Sequence, residues 1–255
     1  MQYKAVIFDL FDTVVFFDYG KMPEVVVNGE TRRTTMGKTY EILRERIPGL
    51  SWDAFFNALA EADEEIRPLK EAGREVCSTE RFRRLLGKLH AEESQFLSRN
   101  FIEDLVRMHM EALLGCAYLP GGHPAVLEAL RRRYRLALLS NFDYAPAAKK
   151  MLDEMGLRSY FLRVVISDEL GWRKPHPRAF QGLVEVLGVA PWESLYVGDT
   201  YETDVVGAKG AGLGAAWVNP SGKHPPSGGT RPDIEVRSLA ELMQRLMPTW
   251  EGRGR

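Results

Sequence analysis

The chain has 255 residues, 34 of them basic and 35 acidic, for a formal net charge of −1. That balance excludes recruitment of nucleic acid or an anionic membrane surface by bulk charge, so any anion recognition has to be local. The length suits one large domain or a core with a smaller insert, and no run reaches the ~20 apolar residues of a membrane span.

The N-terminal segment MQYKAVIFDLFD is an apolar run interrupted by Asp9 and Asp12, unlike a secretory signal. A cytoplasmic protein with neither membrane nor nucleic-acid partner is therefore expected. Cys77 and Cys116 form no C-x-x-C pair, and none of the five histidines has zinc-ligand spacing. Two free, buried thiols are expected.

In chain order, Tyr3 to Phe8 reads as a short buried strand ending at Asp9. Val25-Val26-Val27-Asn28-Gly29-Glu30-Thr31 reads as a hairpin, because Asn-Gly favours its positive-φ turn. From about Met36 to Gly115 the pattern is helical. Ser51 is placed to cap a helix with Trp52, Phe55, Phe56 and Leu59 on one face, and Thr79 one with Phe82, Leu85, Leu86 and Leu89. A third helix is expected from Phe101 to Leu114. After Pro120-Gly121-Gly122 strands and helices alternate. The helices are expected at His123–Tyr134, Ala145–Met155, Pro177–Leu187 and Thr203–Ala211. The strands fall at Leu136–Ser140, Val164–Ser167, Leu195–Val197, Ala215–Val218 and Ile234–Val236. Continuous apolar strands between amphipathic helices indicate an α/β core, a Rossmann-like parallel sheet with helices on both faces, and the helical run is an insert within it. Arg131-Arg132-Arg133 reads as a solvated helix face.

Ligands of open α/β sheets bind beyond the carboxyl ends of the strands. The strand ends here deliver Asp9-Leu10-Phe11-Asp12-Thr13, Ser140-Asn141 and Gly198-Asp199-Thr200-Tyr201-Glu202-Thr203-Asp204, and a loop adds Gly171-Trp172-Arg173-Lys174-Pro175. A nucleophilic carboxylate, a hydroxyl, a cation and a carboxylate pair suit phosphoryl transfer with Mg²⁺, which takes oxygen ligands and few protein carboxylates.

These segments, FDLFDTVV, LLSN, GWRKPHPRAF and VGDTYETDVVGAKGAG, resemble the four motifs of the haloacid dehalogenase superfamily, in its order and spacing. The resemblance implies a Rossmann-like core (1–14 and 119–255) with an α-helical cap inserted after the first motif (15–118). It implies Asp9 as nucleophile, with Ser140 and Lys174 binding the transferred group. Asp199 and the Phe11 backbone carbonyl would join Asp9 around Mg²⁺, with Asp204 supporting the metal and Thr13 and Asn141 lining the substrate side.

One position departs from the family. Phosphatases of the superfamily carry a second aspartate two residues after the nucleophile, to protonate the leaving alcohol; here stands Phe11, and Asp12 is the only candidate substitute. The family's dehalogenases carry an aromatic residue there, since halide leaves unprotonated, and Ser140-Asn141 resembles their second motif. They work without metal, however, whereas Asp199 and Asp204 call for a cation between them. The expectation is Mg²⁺-dependent phosphoester or phosphoanhydride hydrolysis through an aspartyl-phosphate on Asp9, with a small phosphorylated substrate. The alternatives are a 2-haloacid dehalogenase acting on a halogenated acid, and a catalytically weak binder of phosphorylated ligands. The sequence leaves oligomeric state open.

Overall fold

Ala5-Val6-Ile7-Phe8 is buried at every residue, which requires a sheet covered on both faces. The computed structural model describes residues 3–27, 29–90 and 98–247. In chain order its strands and α-helices are β1 (Ala5–Phe8), β2 (Phe16–Phe17), β3 (Glu24–Val27), β4 (Glu30–Arg33), α1 (Gly37–Arg46), α2 (Trp52–Glu71), α3 (Ser78–Lys88), α4 (Arg99–Leu114), β5 (Ala117–Tyr118), α5 (His123–Arg131), β6 (Arg135–Ser140), α6 (Ala145–Glu154), β7 (Arg163–Ile166), α7 (Ser167–Leu170), α8 (Arg178–Leu187), β8 (Ser194–Gly198), α9 (Gly207–Gly210), β9 (Gly214–Val218), β10 (Ile234–Val236) and α10 (Leu239–Leu246). Two compact units emerge. One comprises Met1–Phe16, Tyr118–Phe142 and Leu152–Arg255; the other comprises Phe17–Ala117 and Asp143–Met151.

The first unit holds a six-stranded sheet in the order β10-β9-β8-β1-β6-β7, every pair parallel. The chain runs outward from β1 to β6 and β7, then returns to the other side of β1 for β8, β9 and β10. This reversal beside β1 is the topological switch point at which such sheets bind ligands. Phe8 is level with Leu138 and with Val197, so Asp9 leaves β1 one residue before Ser140 and Asp199 leave β6 and β8. One core face joins Ile7, Leu139, Tyr196 and Trp217 to Phe180 and Leu183 of α8. On the other face, Phe8 meets Phe161 edge to face.

In the second unit β3 and β4 pair antiparallel, and Gly29 takes the positive φ of 82° that the turn requires; Asn28 lies outside the described residues. The Ser51 hydroxyl accepts from the Ala54 N–H and starts α2 as expected. Thr79 does not cap α3. That helix begins one residue earlier, after Cys77, and the Thr79 hydroxyl lies 3.1 Å from the Cys77 sulfur instead. The third helix is capped by Ser98 and starts at Arg99, two residues before the apolar stripe that marked it. Cys77 is only half-buried, against expectation, because it stands at the helix start; Cys116 is buried, and both thiols are free.

Two expected helices in the first unit have different limits. The helix expected from His123 to Tyr134 ends at Arg131, leaving Arg132 and Arg133 exposed in the following turn. The one expected from Thr203 begins at Tyr201 as a six-residue π-helical turn and becomes α-helical at Gly207. No described helix is long and apolar enough to cross a membrane.

His109 lies buried on α4, its ring 5.8 Å from Phe82, and its Nδ1 has no hydrogen-bond partner among the described residues. Burial, aided by the charge of Arg81, pushes its pKa from 6.5 down to about 4. The folded protein therefore binds this proton less readily than the unfolded chain. His109 costs nothing above the unfolded value, and stability is lost as pH falls from there toward the folded value. Urea unfolding of the wild type and His109→Leu at pH 7.5 and near pH 4 should shift the difference between them by on the order of 3 kcal/mol against the wild type at the lower pH. Parallel pH dependences in the two proteins would contradict a neutral buried imidazole.

Candidate active site

The ends of β1, β6 and β8 and one loop come together around Lys174. Lys174 is buried, and its Nζ donates to Asp9 Oδ1 at 2.6 Å, to Asp204 Oδ1 at 2.8 Å and to the Tyr196 hydroxyl at 2.6 Å. A lysine has three donors, and all three are taken. The backbone of Lys174 is held as firmly. Its N–H donates to Asn141 Oδ1 at 2.8 Å, while Asn141 Nδ2 donates to its carbonyl at 2.9 Å. Asn141 thus ties the end of β6 to the lysine loop.

Asp9 follows β1 and donates its backbone N–H to Val197 O. Asp199 follows β8, where the Trp217 indole holds its carbonyl at 2.9 Å. Asp204 lies on the π-helical turn, and its Oδ2 accepts from the Thr200 N–H at 2.9 Å. That turn folds back over Gly198, where a Cβ would overlap the Asp204 carboxylate, so only glycine fits. Asp9, Asp199 and Asp204 each present an oxygen within 4.8 Å of the others.

Three carboxylates against one ammonium leave two negative charges in excess when all are ionised. Burial is the largest cause that pushes Asp9 up to about 7; Lys174 opposes it and Asp204 adds to it. Burial likewise raises Asp199 to about 6, helped by Asp204 and Asp12. For Lys174 burial acts downward, but Asp204 and Asp9 outweigh it and hold the ammonium raised. A divalent cation would cancel the excess charge, and carboxylate oxygens suit a hard ion such as Mg²⁺. The donor set fits.

The structure therefore brings Asp9, Lys174, Asp199 and Asp204 together. Ser140 is buried at the end of β6. Thr13 is fully buried, and its hydroxyl has no hydrogen-bond partner among the described residues. Phe11 turns its ring onto Phe142, 5.0 Å between centroids. Asp12 adopts a left-handed φ of 58°, in a turn where its N–H donates to Val15 O at 2.7 Å. Its charge is felt at Asp199.

Sequence reasoning missed Tyr196 and Trp217. Both are buried aromatic residues with a polar handle in otherwise aliphatic or small-residue strands, and such handles need partners. A 750 Å³ concavity lined by Lys4, Arg131, Arg132, Arg133 and Arg135 lies at the opposite, amino-terminal edge of β1 and β6. The three carboxylates and Lys174 gather at the carboxyl edge instead.

Residues 3–212 match the family model of haloacid dehalogenase-like hydrolases. The chain is 40% identical over 119 residues to N-acylneuraminate-9-phosphatase of Mus musculus, covering 46% of this chain and 48% of that protein. It thus spans about half the length of that relative. With glyceraldehyde 3-phosphate phosphatase of Pyrococcus furiosus it shares 27% identity over 245 residues, 96% of this chain and 90% of the other. In fold it is similar to the crystal structure of 2-haloacid dehalogenase from Pseudomonas syringae pv. Tomato DC3000, with a TM-score of 0.73, 21% identity, and coverage of 98% and 100% of the two chains. This chain belongs to the haloacid dehalogenase-like hydrolases.

Proposed function

We propose that this hydrolase cleaves small phosphorylated substrates, with Asp9 as covalent nucleophile and Mg²⁺ as cofactor. The observation that carries this reading is the gathering of three carboxylates, Asp9, Asp199 and Asp204, around the single ammonium of Lys174, two negative charges in excess when all are ionised. A halocarboxylate would meet repulsion there, whereas a cation-bound phosphoryl group would not. The names of the curated relatives, phosphatases of sugar and triose phosphates, support the same class.

Asp9, Asp199 and the Phe11 carbonyl would hold Mg²⁺, with support from Asp204, and the ion would supply charge neutralisation for the phosphoryl oxygens. A carboxylate oxygen of Asp9 attacks phosphorus as the bond to the leaving oxygen breaks, and the bonding pair departs with that oxygen. Lys174, its three donors already engaged, offers its positive charge to the phosphoryl oxygens, while Ser140 and Thr13 offer hydroxyls. Asn141 fixes the lysine loop from below. Water then cleaves the aspartyl-phosphate, releasing phosphate and restoring Asp9. Residues 15–118 serve as the cap that selects the substrate.

Phe11 favours one second reading, a dehalogenase in which Asp9 displaces halide, because no proton is needed there. Hydrolysis of p-nitrophenyl phosphate separates the two, since nitrophenolate also leaves unprotonated. Turnover should require Mg²⁺, stop with EDTA and fall by about 10⁴-fold or more in Asp9→Asn, as loss of a nucleophile does. Halide release from a 2-haloacid, without any p-nitrophenyl phosphate turnover, would establish the dehalogenase instead.

The raised carboxyls add a pH dependence. Asp9 near 7 and Asp199 near 6 must lose their protons to ligate the metal, so Mg²⁺ affinity should fall as pH drops from 8 to 6. Calorimetric titration should show the decline, with proton release on binding at pH 6.5. Affinity independent of pH across that window would place the metal elsewhere.

A further inference from the structure

Lys174 reaches three partners, of which two are carboxylates; the third, Tyr196, is neutral and has no part in the chemistry above. Tyr196 lies on β8 and is fully buried. Its hydroxyl donates to the carbonyl of Leu139 at 2.9 Å. The phenolic proton is therefore committed to β6, and the oxygen turns a lone pair to the Lys174 ammonium at 2.6 Å. The ammonium lies 5.0 Å from the ring centroid. With so short a contact to the hydroxyl it sits off the ring's rim rather than over its face, so the bond to oxygen is the effective contact.

The strand order gives this bond its use. β8 and β6 flank β1, so the Tyr196–Leu139 link spans the strand that carries Asp9. It ties together the strand that ends in Ser140 and the strand that Asp199 follows. Two carboxylate anchors alone would leave the ammonium free to swing about the line joining Asp9 and Asp204. A third, off that line, fixes its position.

We propose that Tyr196 is a positioning residue that locks the Lys174 ammonium at the point where it meets the transferred group. Its hydroxyl bonds to Lys174 and to the Leu139 carbonyl, and it bears on the transferred group through Lys174. The kinetic part of this inference rests on the phosphohydrolase reading; the geometric part does not.

Tyr196→Phe keeps the ring and removes the anchor. In the Mg²⁺-loaded enzyme kcat on p-nitrophenyl phosphate should fall roughly 10- to 100-fold with KM changed less than about 3-fold, since misplacement by about 1 Å is felt mainly in the transition state. The decisive measurement is a double-mutant cycle with Lys174→Met, read by calorimetric affinity for inorganic phosphate as well as by turnover. Tyr196→Phe should weaken phosphate binding in the lysine background and do nothing in the methionine background. Equal losses in both would show a purely structural tyrosine and overturn the proposal. Nitrogen-15 NMR of the Lys174 ammonium gives an answer even without turnover. Its protons should exchange slowly with water in the wild type and markedly faster in Tyr196→Phe, and unchanged exchange would also overturn it. Absence of turnover in the wild type with the NMR difference intact would count against the phosphohydrolase reading alone.

Discussion

The buried ammonium of Lys174 is the constraint on which the first unit's active edge depends. A charge removed from water costs several kcal/mol unless it is paired and fully hydrogen-bonded. Each neighbour can be read as an answer to that demand. Asp9 and Asp204 supply the opposite charge, Tyr196 the third acceptor, and Asn141 the grip on the backbone. Deleting any one partner would leave a buried group unsatisfied, so the residues form a single unit rather than a set of independent contributors. The arrangement overshoots, since two carboxylates already exceed one ammonium and Asp199 adds a third. That surplus is the basis of the proposed cation site.

Sheet topology explains why the unit can be assembled from distant segments. A parallel strand buried on both faces cannot carry charge along its length, so polar residues collect where strands stop. The reversal beside β1 sets the ends of β1 and β8 side by side, and Asp9 and Asp199 are the first polar residues past those strands. The π-helical turn at Tyr201–Val206 is part of the same solution. It lets the Asp204 carboxylate fold back over Gly198 and accept from Thr200, while its other oxygen reaches Lys174. Wider turns of this type recur where a side chain has to be re-aimed at a site.

The core strands and four of the site's polar residues were legible in the sequence because they follow short-range rules. Apolar runs marked the strands to within a residue or two, and Asp9, Ser140, Lys174 and Asp199 stand at or just beyond element ends. What escaped depends on geometry across strands. Nothing in Leu195-Tyr196-Val197 says that the tyrosine oxygen will cross β1 to Leu139. The π turn was hidden because Val205 and Ala208 keep apolar spacing compatible with an ordinary helix. Thr79 misled for a related reason. A threonine before an apolar stripe signals a cap, but the backbone had already entered the helix at Ser78, and a hydroxyl inside the first turn finds Cys77 instead.

Phe11 and Asp12 show how far one residue of register changes chemistry. Their order could have meant a displaced acid, with Asp12 doing what a carboxylate at position 11 does elsewhere in the family. In the structure Asp12 takes a φ of 58°, the Phe11 ring packs on Phe142, and the Asp12 charge lies within electrostatic reach of Asp199. Asp12 therefore adds to the negative field around the carboxylate cluster, which strengthens its pull on a cation. The flank formed by Phe11 and Phe142 is aromatic and offers no proton. For Asp9 as the proposed nucleophile, an anionic neighbourhood beside aromatic rings is best matched to a group whose departing atom is stable without a proton. On that reading the charge bears on what is transferred, and the rings bear on what can leave.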